Sequence, residues 1–195
     1  MSARATPPAC PQEPRPMIAR RLAGTALALV SALTVSAPAS AHAGGRDAAV
    51  DRQLGTAYAA TARYKYLPLA TDAGYEPHLC LERPQGGMGF HYFNESLFGS
   101  LDPARPAGLL YEATGKGGRR LVGVEWVVPV TGRNMKRPHL FGQAFQGPMA
   151  GHYPGMPTHY DLHAWLYKKN PDGLFRQWNP RVKCPASAMK GMSGH

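Results

Sequence analysis

The sequence has few acidic residues, few cysteines and no apolar run long enough to cross a bilayer. Twelve Asp and Glu stand against 22 Lys and Arg, a formal net charge of +10. The excess is scattered in short pairs such as Arg119-Arg120, Lys136-Arg137 and Lys168-Lys169. A nucleic-acid protein concentrates its charge and carries a recognisable motif, and neither is present, so nucleic acid is not an expected partner. Dispersed positive charge supports only a weak association with an anionic cell surface. The most apolar stretch, Leu22 to Val35, falls short of the roughly 20 residues a spanning helix needs, so no transmembrane segment is expected. A G-x-S-x-G nucleophile elbow is missing. Gly86-Gly87-Met88-Gly89 lacks the lysine and Ser/Thr of a phosphate-binding loop and is read as a tight entry into a strand. The chain has no internal repeat.

What is present begins with an export signal. Arg20 and Arg21 precede the apolar stretch, Pro38 follows it, and two overlapping A-x-A sites, Ala39-Ser40-Ala41 and Ala41-His42-Ala43, come before Gly44. This order describes a signal peptide over residues 1–43, with Met17 as an alternative start, and a secreted, extracytoplasmic product. Removing it takes four basic residues and one acidic residue, leaving 18 against 11, a charge of +7. Cys10 goes too. Cys80 and Cys184 remain as an even pair in an oxidising compartment, and a disulfide between them is expected. It would close a loop of about 104 residues, a constraint of roughly 4–5 kcal/mol on the unfolded chain. The remaining length suits one domain, placed at 44–184, followed by a disordered tail over 185–195.

Ala48 to Leu67 has apolar and small residues at spacings of three and four and is read as a helix that Pro68 stops. A second short turn is expected over Leu69–Ala73, ending at Gly74. Strands are expected at Met88–Phe93, Gly108–Glu112, Leu121–Val128 and Thr158–Tyr167, the second and third joined as a hairpin. Residues 129–157 are rich in proline and glycine and lack periodicity, which makes them a long irregular loop and a candidate cover for a site. The fold class is therefore α+β: one or two N-terminal helices packed on a mostly antiparallel sheet of four to six short strands.

Three segments carry chemistry. In Thr158-His159-Tyr160-Asp161-Leu162-His163-Ala164-Trp165, strand alternation places His159, Asp161 and His163 on one face. Neighbours two apart are about 6.6 Å from one another and can share a metal; residues four apart are about 13 Å and act separately. Glu125 sits mid-strand among Val, Gly and Trp, where a carboxylate is costly unless paired or ligating. Gly123 on the same face leaves room above the strand, and Glu112 is expected near Glu125 across the hairpin. His91 is the third candidate. Together His91, Glu112, Glu125, His159, Asp161 and His163 form the candidate ligand set, with the N/O character that zinc, iron or manganese accepts. Copper is the weaker alternative, through Met135, Met149, Met156, Met189, Met192 and His195. A small polar ligand is a further occupant. Whether the site is catalytic stays open: the alternatives are a non-catalytic envelope interaction domain and a metal-dependent hydrolase or oxygenase using Glu125 as base.

The motifs Cys80, Gly87-Met88-Gly89-Phe90-His91-Tyr92-Phe93-Asn94, Leu109-Leu110-Tyr111-Glu112 and Leu121-Val122-Gly123-Val124-Glu125-Trp126 occur in this order. After them come His159 to Trp165, Asn170-Pro171-Asp172-Gly173-Leu174-Phe175 and Asn179-Pro180-Arg181-Val182-Lys183-Cys184. The set resembles a family of exported bacterial proteins of uncharacterised activity, over about Ala60 to Cys184. The resemblance implies a domain that recurs as a unit and supplies no ligand, activity or fold.

Overall fold

The computed structural model describes residues 47–115 and 117–189; the expected signal peptide lies outside them, as do Met192 and His195. Helix α1 (Ala48–Thr61) opens where the Asp47 carboxylate accepts a hydrogen bond from the Ala49 N–H at 2.7 Å. That cap satisfies a donor with no partner inside the helix. Leu54, Ala57 and Thr61 form its buried stripe, as the spacing predicts. The helix stops earlier than expected. A 3-10 turn over Ala62–Lys65 follows, Tyr66 is extended, and α2 (Leu67–Asp72) starts with Pro68 in its first turn. Proline lacks only an N–H that would be unpaired there anyway, so Pro68 begins a helix rather than ending one.

Eight strands follow among the described residues: β1 (Glu76–Arg83), β2 (Gly86–Phe93), β3 (Gly108–Ala113), β4 (Arg119–Pro129), β5 (His139–Leu140), β6 (Gln143–Ala144), β7 (Gln146–Met149) and β8 (His159–Ala164). Six of them make one sheet in the order β1-β2-β3-β4-β8-β7, every pair antiparallel, while β5 and β6 pair separately. The α+β class holds, with an antiparallel sheet at the upper end of the expected strand number. Strand β1 was not expected. Pro77 interrupts its pattern, which an edge strand tolerates because one row of its N–H groups needs no ladder partner. The expected disulfide Cys80–Cys184 ties this edge to the end of the domain. The segment 129–157 is less irregular than its composition suggests: it contains β5, β6 and β7 and delivers Phe141 and Phe145 into the core. Among the described residues past Cys184, where a disordered tail was expected, Ala186–Met189 form a helical turn, α3.

The two faces of the sheet are packed differently. On one, Tyr92, Leu109, Tyr111, Val124, Trp126, Val128, Tyr160, Leu162 and Ala164 meet α1, α2, Phe141 and Phe145 in the main core. The opposite face carries two small apolar clusters. Phe93, Ala107, Val127 and Met156 form one; Leu110, Val122, Trp165 and Val182 form the other. Between these patches lies the polar set. Residues Leu121–Val128 are buried without interruption, so β4 is covered on both faces. An alternating strand with one wet face would have left Glu125 solvated; this strand does not. Close approach is achieved at the β1–β2 turn by Gly86, at φ 137°, where a Cβ would stand 2.5 Å from the Asn179 carbonyl. Gly87 and Asn179 then exchange backbone hydrogen bonds of 3.0 and 3.1 Å.

Candidate metal centre

The pairing register assembles the site from neighbouring strands. In the β4–β8 ladder Glu125 lies opposite His163, and Val127 opposite Asp161. In β2–β3, His91 is opposite Leu110, two positions from the Phe93–Gly108 pair that leads on to Glu125. His159, Asp161 and His163 share a face, as alternation requires, and all three are fully buried with Glu125. His91 is 1% exposed.

Glu125 also needs an empty place opposite it. Gly108 supplies that place: a Cβ there would lie 2.9 Å from Phe93 Cε1 and 3.0 Å from the Glu125 carboxylate. The glycine singled out from the sequence, Gly123, does something else. Its Cβ position is hemmed by the Ala164 carbonyl at 3.0 Å, the Trp165 ring at 3.2 Å and Leu110 at 3.3 Å. The space above Gly123 is filled by core packing, not by a ligand.

Glu112 does not join the set. It stands four residues along β3 from Gly108, the position opposite Glu125, or about 13 Å of strand. Its carboxylate accepts from Arg120 Nε at 2.6 Å and from Lys168 Nζ. The expectation missed this because a two-strand hairpin reading fixes neither register nor the bulge between Leu110 and Tyr111. The methionines also go separate ways. Met135 packs on the main core, Met149 Sδ accepts from Gln177, and Met156 packs with Phe93 and Val127.

The residue that sequence reasoning passed over is His152. It comes from the 129–157 segment, and its side chain, 12% exposed, closes over the polar face. Its Nε2 lies 3.3 Å from His159 Nε2, 3.5 Å from Asp161 Oδ2 and 3.8 Å from Glu125 Oε1. The other carboxylate oxygen of Glu125, Oε2, is 3.5 Å from His91 Nε2 and 3.9 Å from His163 Nε2. Two overlapping groups result, Glu125-His152-His159-Asp161 and His91-Glu125-His163, in each of which the ligand atoms lie within 4.8 Å of one another. Metal bonds of 2.0–2.1 Å in a tetrahedron set ligand atoms about 3.4 Å apart. The observed separations are near that edge length and, apart from the His152–His159 contact, too long for good hydrogen bonds.

Hydrogen bonding is lopsided within the cluster. His159 Nδ1 meets the Pro157 carbonyl at 2.9 Å and His91 Nδ1 the Leu79 carbonyl at 3.4 Å. Donation from Nδ1 leaves Nε2 as the lone pair facing inward, the tautomer a metal ligand needs. Inward-facing atoms are unpaired: His91 Nε2, both oxygens of Glu125, both of Asp161 and both ring nitrogens of His163. Burial and the neighbouring Asp161 push Glu125 well above the usual carboxylate range. Burial holds His91 well below the usual imidazole range, with His152 and His163 adding to it. It also takes His163 down to about 4 against the opposing pull of Asp161. His159 is lowered by burial as well, against the opposing effect of the Pro157 carbonyl. Burial thus favours the neutral, ligating form of His91, His159 and His163.

Among the described residues no helix is long and apolar enough to cross a membrane. Comparison of the chain with protein-family models, curated proteins and solved structures finds no match in any of the three.

Proposed function

We propose that this is an exported single-domain protein that binds a divalent transition metal, with His152, His159, Asp161, Glu125, His91 and His163 as the ligand set. One observation carries the reading. Seven of the ten unpartnered buried side-chain N and O atoms among the described residues belong to four residues of this one cluster. Buried polar groups ordinarily have partners, and buried charges are paired or bound to metals. A small neutral ligand would supply hydrogen bonds but no counter-charge for Asp161 beside an ionised Glu125. A divalent cation supplies both. The mixed imidazole and carboxylate donors suit zinc, iron or manganese. The rival envelope-domain reading, in which these side chains satisfy one another, finds little support in contacts of 3.5–3.9 Å. Export accords with the disulfide Cys80–Cys184, which belongs to oxidising compartments.

Elemental analysis of the untagged protein, beside Glu125→Ala and His159→Ala, tests the proposal. At least one equivalent of metal in the wild type, reduced in both folded variants, is the expected result. A wild type that stays metal-free after incubation with zinc, manganese, iron and copper overturns it.

A further inference from the structure

Glu125 presents its two oxygens to different partners, and this division has a chemical consequence. Oε1 faces His152, and through it Asp161 and His159; Oε2 faces His91 and His163. A single cation at bonding distance from one oxygen's partners leaves the partners of the other oxygen unpaired. Those left over would be His91 Nε2 and His163 Nε2, both buried and both without a hydrogen bond. We propose that the centre is dinuclear: two metal ions share Glu125 as a bridging carboxylate, one on each side.

The two positions differ in kind. Position A is offered four ligands, His152, His159, Asp161 and Glu125. Its two carboxylates cancel a divalent charge, and four protein ligands close a tetrahedral shell, as in structural zinc sites. Position B is offered three, His91, His163 and Glu125. Two imidazoles and one carboxylate leave a coordination position open, the arrangement found where a metal does chemistry. A carboxylate bridge sets such ions about 3.5–4 Å apart. Position A therefore fills first and more tightly. Position B fills second, because Glu125 is already shared and the added charge is not fully matched by protein. Any activity belongs to B.

This rests on the metal-binding reading, and the experiment separates the two. Metal-free protein is titrated with zinc and with manganese, and bound metal is counted after gel filtration. Two equivalents in two steps are expected for the wild type. His163→Ala should keep the first step at wild-type affinity and lose the second. His159→Ala should weaken the first step at least 10-fold, and Glu125→Ala should weaken both. Because a variant in a buried cluster can fail to fold, the wild type loaded with two equivalents of manganese is also examined by electron paramagnetic resonance. A spin-coupled signal that appears only with the second equivalent supports the bridge. One equivalent at saturation, or two uncoupled ions, overturns the dinuclear centre while leaving the metal-binding reading standing. No bound metal overturns both.

Discussion

Replacing Glu125 by glutamine should stabilise the metal-free domain at neutral pH and lose that advantage when metal is bound. The carboxylate is fully buried, unpaired, and close to a second buried carboxylate, Asp161, and these raise its folded value well above 4.5. A group raised on folding contributes fully below its unfolded value, and that contribution is lost as pH rises toward the folded value. One proton changes stability by at most about 1.4 kcal/mol per pH unit, so from pH 4.5 to 7 the metal-free protein loses up to about 3 kcal/mol through this residue. Glutamine has nearly the same shape and no charge. The buried histidines, lowered on folding, act oppositely: their contribution is present above about 6.5 and falls away toward pH 4. It is common to both proteins and cancels in the difference. Glu125→Gln should thus match the wild type at pH 4.5 in chelator and exceed it at pH 7 by up to about 3 kcal/mol, near 10 °C in Tm for a domain of this size. With metal the gap closes. Ligand binding stabilises by about 4 kcal/mol at a thousandfold excess over Kd, and losing 100-fold in affinity removes about 3 of these. Thermal unfolding in chelator and in zinc, at four values between pH 4.5 and 7.5, measures both effects. A glutamine variant less stable than the wild type in chelator at pH 7 refutes the reasoning, because Glu125 would then be satisfied by the fold itself.

Three further outcomes follow from the same geometry. Gly108→Ala puts a methyl 3.0 Å from the Glu125 carboxylate; it should cost about 1–3 kcal/mol by overpacking and weaken metal binding, read by unfolding and metal content together. Glu112→Ala removes the partner of the exposed Arg120 and the partly exposed Lys168, so it should cost about 1 kcal/mol and leave metal content unchanged. Opening the disulfide by Cys80→Ala with Cys184→Ala should lower stability by about 2–5 kcal/mol, measured by denaturant unfolding in chelator.

How much of this was legible in the sequence depends on which force fixed each residue. The period of two fixed His159, Asp161 and His163 on one face before any partner strand was known, because alternation is a property of the strand alone. Glu125 stood out for a similar local reason, a charge inside an unbroken apolar run. Glu112 was misplaced because its neighbours depend on register, and a bulge in β3–β4 is decided by packing rather than by pattern. Edge strand β1 was hidden by Pro77. His152 was the least accessible: it lies on a segment without periodicity and reaches the site only because 129–157 folds back over the sheet, pinned by β7 pairing with β8.

The five residues visible from the strands and the one hidden in a loop bear on why the cluster is tolerated at all. A sheet face built from Phe93, Val127, Leu110, Val122 and Trp165 would pack well with a leucine at position 125 or 163. Apolar replacement of buried charges of this kind is often neutral or stabilising. The fold instead keeps two carboxylates and three histidines dry, encloses them between apolar patches, empties the position at Gly108 and covers them with a fourth histidine. Each step raises the cost of the metal-free state and lowers the dielectric in which a cation would be held, which strengthens its attraction to both carboxylates. Packing alone would favour none of these choices; a bound cation accounts for all of them together.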